Sequence, residues 1–108
     1  MGVLERMPLR IEVAAPDATT VALALGGALD HGSASQLAAL TFADGYRRID
    51  VDLSELTFID SSGLAALVRL QQRAEEARAV VHVVALTPYL RKLLTMTALD
   101  PLFSLPPE

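Results

Sequence analysis

The sequence has no cysteine, and it has only two histidines, His31 and His82. Without cysteine the chain can form no disulfide, no thiolate nucleophile and no cysteine-ligated zinc site. The same absence fits a reducing compartment, and we expect the protein to be cytoplasmic. The two histidines fall on different predicted elements, so no bound metal is predicted. The sequence also has no Gly-Lys-Ser/Thr phosphate loop, so no cofactor is predicted.

Aromatic residues, basic residues and long apolar runs are also scarce. Aromatics make up 5% of the chain and offer no platform on which bases could stack. Nine Lys and Arg stand against thirteen Asp and Glu, and the resulting net charge of -4 repels a phosphate backbone, so we expect no nucleic-acid binding. The apolar run at residues 21–29 is much shorter than the roughly 18 residues of a membrane span, so direct membrane insertion is not expected.

The hydrophobic residues of the sequence are mainly aliphatic. Hydrophobic residues make up 52% of the 108 positions, and most of them are Ala, Leu and Val. This fraction can form a core and argues against disorder. The length fits one domain, and its core is predicted to cover about residues 9–103.

The strands are predicted from alternation of apolar and polar residues and from one continuous apolar run. Five strands are predicted, at residues 9–14, 21–25, 49–53, 80–86 and 102–105. Turn-forming residues at 16–19 join the first two into a hairpin. The run at 80–86 is broken only by His82, which indicates a central parallel strand.

The helices are predicted from capping residues and helical periodicity. A capping box at Ser33 predicts a helix that Gly45 ends, and Thr87-Pro88 predicts the start of another. Between them, apolar residues from Leu64 to Ala77 fall on one helical face. The predicted fold class is therefore α/β, in the order ββαβαβαβ, with helices packed on a mixed sheet.

Residues 60–63, Asp-Ser-Ser-Gly, begin the second helix directly after a predicted strand and a short loop. Asp and Ser satisfy the free N–H groups of a helix start, so one interpretation is simply a well-capped helix. Two serines after a capping aspartate are redundant for that purpose, however. Gly63 in the first turn is unfavourable relative to alanine, and it would let another surface approach closely. Both interpretations remain open from local physics alone.

The sequence resembles the STAS family, a domain shared by anti-sigma factor antagonists and sulphate-transporter tails. The resemblance covers about residues 9–103 and is strongest at residues 52–54 and 58–64. Residues 27–30, Gly-Ala-Leu-Asp, match the Gly-x-Leu-Asp that the family places after its second strand, and residues 87–94 match the helix after its fourth strand. The resemblance implies a STAS-like mixed sheet with packed helices.

The resemblance also implies a mechanism. In the antagonists, the partner anti-sigma factor is an ATP-dependent serine kinase that phosphorylates the serine here numbered Ser61. Unphosphorylated antagonist binds this kinase and frees a sigma factor for transcription, whereas phosphorylated antagonist lets go until a serine phosphatase restores it. By the same resemblance, Asp60 and Ser62 shape the acceptor loop, and Asp30 lies on the neighbouring loop that meets the partner. Gly63 completes the predicted partner-binding set.

Two alternatives stay open. Residues after Leu102 are too few for the C-terminal helix that many antagonists carry, and this resembles the short STAS subunits bound to the ATPase of ABC lipid-transport complexes. A hydrolase could combine Ser61 with His31 and either Asp30 or Asp60. The Gly-x-Ser-x-Gly elbow is absent, however, because Ile59 is not glycine. We therefore predict that the protein is not an enzyme.

Overall fold

The structure, a computed structural model, describes residues 7–108 of the chain. Its strands are β1 (Arg10–Asp17), β2 (Thr20–Leu29), β3 (Arg48–Ile59) and β4 (Val80–Leu86). Its helices are α1 (Ala34–Ala38), α2 (Ser61–Glu76) and α3 (Pro88–Met96). A single 3-10 turn at Asp100–Leu102 follows α3. Over this described range, no helix has both the length and the apolar character that crossing a membrane requires.

The four strands form one sheet in the order β1-β2-β3-β4. β1 and β2 are an antiparallel hairpin, while β3 runs parallel to both β2 and β4. The hairpin turn is held by Asp17, whose carboxylate accepts a hydrogen bond of 2.9 Å from the N–H of Thr19. The predicted mixed sheet with packed helices is thereby confirmed.

The core lies between one face of the sheet and the helices. Alternate residues of the strands point into it, and Leu23, Val51 and Val81 are each at most 3% exposed. From α2, Leu67 and Leu70 complete the contact. Full burial of such a side chain contributes roughly 1.5–3 kcal/mol. As expected from composition, the buried hydrophobic cluster of the described residues is aliphatic apart from Phe103.

β2 and β3 both run further than the sequence pattern predicts. β2 continues through the glycine pair to Leu29, and β3 continues to Ile59 with no intervening loop before α2. Two register shifts, after Ala24 and after Gly27, keep the strands paired to their ends. Apolar alternation breaks down where such shifts occur, so periodicity alone ends both strands too early.

β4 has the predicted bounds but not the predicted place. It lies at the end of the strand order rather than in the centre. Val80 and Val84 on its outer face are 52% and 46% exposed. An apolar run shows that a strand is suited to burial, but it does not show whether the strand pairs with a neighbour on one side or on both.

The predicted last strand at residues 102–105 is wrong. Residues Asp100–Leu102 form a 3-10 turn instead, and a main-chain hydrogen bond of 2.9 Å from the N–H of Val83 to the carbonyl of Phe103 joins the segment to β4. The Phe103 side chain, 2% exposed, inserts into the core. The segment therefore closes the core through the Phe103 side chain and not by adding a strand to the sheet.

The first helix is also shorter than predicted, because it ends at Ala38 and not near Gly45. The Ser33 side chain makes no cap hydrogen bond to the helix, and its hydroxyl donates to the carbonyl of Ala28 at 2.9 Å. Residues 39–47 contain no helix or strand. Their backbone is supported by Arg73, whose guanidinium donates to the carbonyl of Leu40.

We predict that Phe103→Ala lowers the free energy of unfolding by about 3–5 kcal/mol, because it leaves a cavity where a buried ring closes the core. The neighbouring change Leu102→Ala is the matched control. Leu102 is 38% exposed, so its truncation should cost less than about 1 kcal/mol. Urea unfolding of both variants measures the difference, and equal losses would contradict the assigned role of Phe103.

Candidate functional site

The carboxyl ends of β2 and β3 lie side by side, with Leu29 paired to Ile59. The chain leaves both strands at this edge, through residues 30–33 after β2 and directly into α2 after β3. The N–H of Asp60 donates to the carbonyl of Leu29 at 3.3 Å. The loop after β2 and the start of α2 are therefore neighbours, at the edge where open α/β sheets carry their functional groups.

Asp60 is the cap of α2. Its Oδ1 accepts a hydrogen bond of 2.9 Å from the N–H of Gly63, which satisfies one of the free donors of the first helical turn. Its Oδ2 accepts a bond of 3.1 Å from the main-chain N–H of His31, 29 residues earlier in the chain. One carboxylate thus fastens the loop after β2 to the start of the helix.

The pKa of the Asp60 carboxyl lies below its ordinary value of 3.8. The hydrogen bond from the N–H of Gly63 is the largest cause, and the N–H groups of His31 and Ser62 act in the same direction. Loss of water around the carboxylate and the charge of Asp30 act in the opposite direction. Hydrogen bonds to the charged form outweigh both, so this site stabilises a negative charge.

Asp30 organises its own loop. Its Oδ1 accepts hydrogen bonds from the N–H groups of Gly32 and Ser33, at 3.0 and 3.1 Å. The N–H of Asp30 in turn donates to the Ser33 hydroxyl at 2.9 Å. The aspartate therefore closes a local turn of the kind that Asp favours, while its predicted contact with a partner stays a prediction.

The two serines of the motif have different surroundings. Ser61 is the first residue of α2, and it is exposed. Ser62 is half-buried, and its Oγ lies 3.5 Å from Nδ1 of His31. The structure thus brings Asp30, Asp60 and both serines to one edge of the sheet, and it leaves the Ser61 hydroxyl on the surface.

Gly63 makes a close contact inside the protein. Its lack of a side chain was predicted to let another surface approach closely, and its membership of the partner-binding set stays a prediction. The approaching group belongs to the chain itself, because an added Cβ would lie 2.1 Å from the carbonyl oxygen of Leu29 and 2.7 Å from Cγ1 of Ile59. Gly63 is buried, so its role is to let α2 start against the end of β2.

His31 is the site residue that sequence reasoning undervalued. It was considered only as a member of a hydrolase triad with Ser61. In a triad, a carboxylate holds one ring nitrogen of histidine and the nucleophilic serine faces the other. Here Nδ1 faces Ser62, and Asp60 binds the main-chain N–H of His31. The available signal was its position, directly after the Gly-x-Leu-Asp motif and therefore at the end of a strand.

In the part of the chain described, no group of three or more His, Asp or Glu could hold a metal ion.

Comparison with known proteins places these features in context. A family model described as "Mlab, STAS domain" matches residues 12–105. The structure of the anti-sigma factor antagonist SpoIIAA in its unphosphorylated form matches with a TM-score of 0.74 and 23% identity, over 92% of this chain and 90% of that one.

Two further solved structures match with similar coverage. An anti-sigma factor antagonist from Mycobacterium paratuberculosis has a TM-score of 0.74 and 25% identity, over 93% of this chain and 86% of that one. The Bacillus cell fate determinant SpoIIAA in the phosphorylated form has a TM-score of 0.66 and 21% identity, over 92% and 93% of the two chains. The same fold therefore accommodates both forms of that protein.

We predict that Gly63→Ala destabilises the protein by about 1–3 kcal/mol, because the added methyl group must displace the backbone at Leu29. Gly32→Ala is the matched control on the neighbouring loop. The nearest atom to a Cβ there is Oδ1 of Asp30, at an ordinary contact distance of 3.5 Å. Thermal unfolding compares the two, and an unaffected Gly63→Ala variant would show that the contact with Leu29 is not tight.

We also predict a change in acid stability for Asp60→Asn. A carboxyl with a lowered pKa stabilises the folded state above its unfolded pKa, and that contribution is lost as pH falls through the lower, folded pKa. The variant should therefore lose less stability than the wild type as pH falls from about 5 to about 2. Asp17, whose pKa is lowered chiefly by the N–H of Thr19, offers an independent comparison. When Asp17→Asn is combined with Asp60→Asn, the double variant should lose still less stability on acidification than either single variant. Equal acid sensitivity of Asp60→Asn and wild type, in urea unfolding, would contradict this account.

Proposed function

The chain belongs to the STAS domain family, since the family model covers residues 12–105 of its 108, and from this premise we propose that it is an anti-sigma factor antagonist switched by phosphorylation of Ser61. The similar solved structures are antagonists, which are regulatory proteins and not enzymes. The observation that carries the proposal is the position of Ser61, exposed at the first residue of α2 and beside the loop of Asp30.

The start of α2 suits a serine that gains and loses phosphate. A phosphoserine carries about -1.5 to -2 charges at pH 7. Free N–H groups and the helix dipole favour an anion at this end of a helix. The lowered pKa of Asp60 indicates that the same environment already stabilises a negative charge. Phosphorylated chain can therefore stay folded.

The phosphate would weaken the binding of a partner protein at this site. An anti-sigma factor packed over Ser61 also covers Asp60 and the loop of Asp30, which are both acidic. Adding a phosphate there introduces bulk and concentrates negative charge in a chain whose net charge is already -4. Like charges brought together at an interface cost several kcal/mol. In this proposal, release of the partner comes from the interface and needs no change of fold.

The proposed cycle has two partners. Unphosphorylated protein binds an anti-sigma factor that is an ATP-dependent serine kinase, and a sigma factor is freed for transcription. The kinase phosphorylates Ser61 and the complex separates, after which a serine phosphatase removes the phosphate. In this cycle the protein is the substrate of two enzymes and has no catalytic activity, which fits a cytoplasmic regulator.

A second candidate is an accessory subunit on the ATPase of an ABC lipid-transport complex. It is kept because the matching family model is described as "Mlab, STAS domain", a description that names no anti-sigma factor. Affinity purification from the native cell separates the two candidates. An ATP-dependent serine kinase recovered with the protein supports the antagonist, and an ABC ATPase supports the transporter subunit.

We predict opposite effects of two Ser61 variants on the recovered kinase. Ser61→Ala cannot accept phosphate, so it should stay bound in the presence of ATP. Ser61→Asp adds a negative charge at the interface and should bind roughly tenfold more weakly, or worse. Ser104→Asp adds the same charge at an exposed residue of the C-terminal segment and should bind as wild type does.

Isothermal titration with the kinase measures binding, and mass spectrometry after incubation with ATP locates the phosphate. Ser62→Ala should still be phosphorylated, on Ser61. Binding that is indifferent to Ser61→Asp, with no phosphate on either serine, would rule out the switch and favour the transporter subunit.

A further inference from the structure

Two serines stand next to each other at the start of α2, and a kinase that reaches this turn meets both. Their chemistry is identical and their positions differ by one residue. Ser61 is exposed, whereas Ser62 is half-buried with its Oγ 3.5 Å from Nδ1 of His31. The two serines therefore differ both in exposure and in the contact that Ser62 makes with His31.

The main chain at His31 is fastened beside the start of α2. The main-chain N–H of His31 donates to Oδ2 of Asp60 at 3.1 Å. The other oxygen of the same carboxylate accepts from the N–H of Gly63, in the turn that carries Ser62. On the other side, the carboxylate of Asp30 closes the loop through Gly32. The main chain that carries the ring and the turn that carries Ser62 are therefore joined through one carboxylate, and this places the exposed ring of His31 within 3.5 Å of the Ser62 hydroxyl.

We propose that His31 is a positioning residue that directs phosphorylation to Ser61 by engaging the hydroxyl of Ser62. The inference rests on the proposed function and names how that site selects its serine. It assigns no catalytic step to His31.

The chemistry of phosphoryl transfer explains the selection. The serine oxygen forms a bond to the γ-phosphorus of the kinase's ATP while the bond from that phosphorus to the bridging oxygen breaks, so that ADP leaves. The hydroxyl proton passes to a base of the kinase. Transfer requires an oxygen placed in line with the breaking bond and a proton free to be removed. The Ser61 side chain is exposed and therefore accessible to the kinase. The hydroxyl of Ser62 must first leave its contact with His31, and it belongs to a residue that is half-buried.

The phosphorylation test uses two His31 variants, the recovered kinase and ATP, with the phosphate located by mass spectrometry. Wild type should carry phosphate on Ser61. His31→Ala should raise the ratio of Ser62 to Ser61 phosphate at least about tenfold, the change expected if the freed hydroxyl becomes comparable to its neighbour. His31→Gln keeps a side chain able to bond the hydroxyl and should restore most of the preference. His82→Gln, the other histidine, is the control and should leave the ratio unchanged.

A second measurement needs no kinase and no His31 variant. NMR of the histidine rings should show the Nδ1 signal of His31 shift in Ser62→Ala and stay unchanged in Ser104→Ala. A role of His31 in folding alone would not produce this pattern. The measurement decides the matter even if His31→Ala fails to fold.

The outcomes separate the inference from the function it rests on. Phosphate confined to Ser61 in folded His31→Ala, or a His31 signal indifferent to Ser62→Ala, overturns the selection by His31 and leaves the switch intact. Phosphate on Ser62 in wild type overturns both the selection and the choice of Ser61. No phosphate on either serine of wild type, with a kinase that is otherwise active, overturns the proposed function and the inference with it.

Discussion

The parallel pairing of β2 with β3, maintained to Leu29 and Ile59, is the constraint on which the rest of the site depends. Because both strands end together, the loop after β2 and the first turn of α2 must meet. Gly63 lets them meet closely, since any side chain there would collide with the carbonyl of Leu29. The carboxylate of Asp60 then bonds to both segments. The site is thus the direct consequence of where two strands stop.

The proposed phosphorylation switch divides its two tasks between different parts of the molecule. The fold is held by an aliphatic core and by main-chain hydrogen bonds, and neither involves the hydroxyl of Ser61. The helix start tolerates an added anion. In the proposed function the interface with a partner does not, because Asp60 and the loop of Asp30 lie beside the serine. Under that proposal, phosphate acts on binding while the free energy of folding changes little, which is the property that a reversible regulator needs.

The departures from the sequence-based predictions have separate physical causes. β2 and β3 were ended early because register shifts break the alternation of apolar residues. β4 was placed in the centre because an apolar run reports burial and not the number of neighbours. The last strand was predicted from residues 102–105, whose buried Phe103 serves the core without forming a ladder. The close fit of Gly63 against Leu29 was not predicted, because a sequence does not show which backbone comes near.

The sequence by itself determined the α/β class, the capping of α2 by Asp60 and of α3 by Thr87, and the exposed start of a helix at Ser61. These depend on short-range periodicity and on side chains that bond to the nearest backbone, so neighbours in the chain suffice to predict them. The bond from His31 to Asp60, the contact of His31 with Ser62 and the fit of Gly63 against Leu29 join residues about thirty positions apart. Only the tertiary structure decided them, because parallel strand pairing brings those residues together and no local pattern encodes its register.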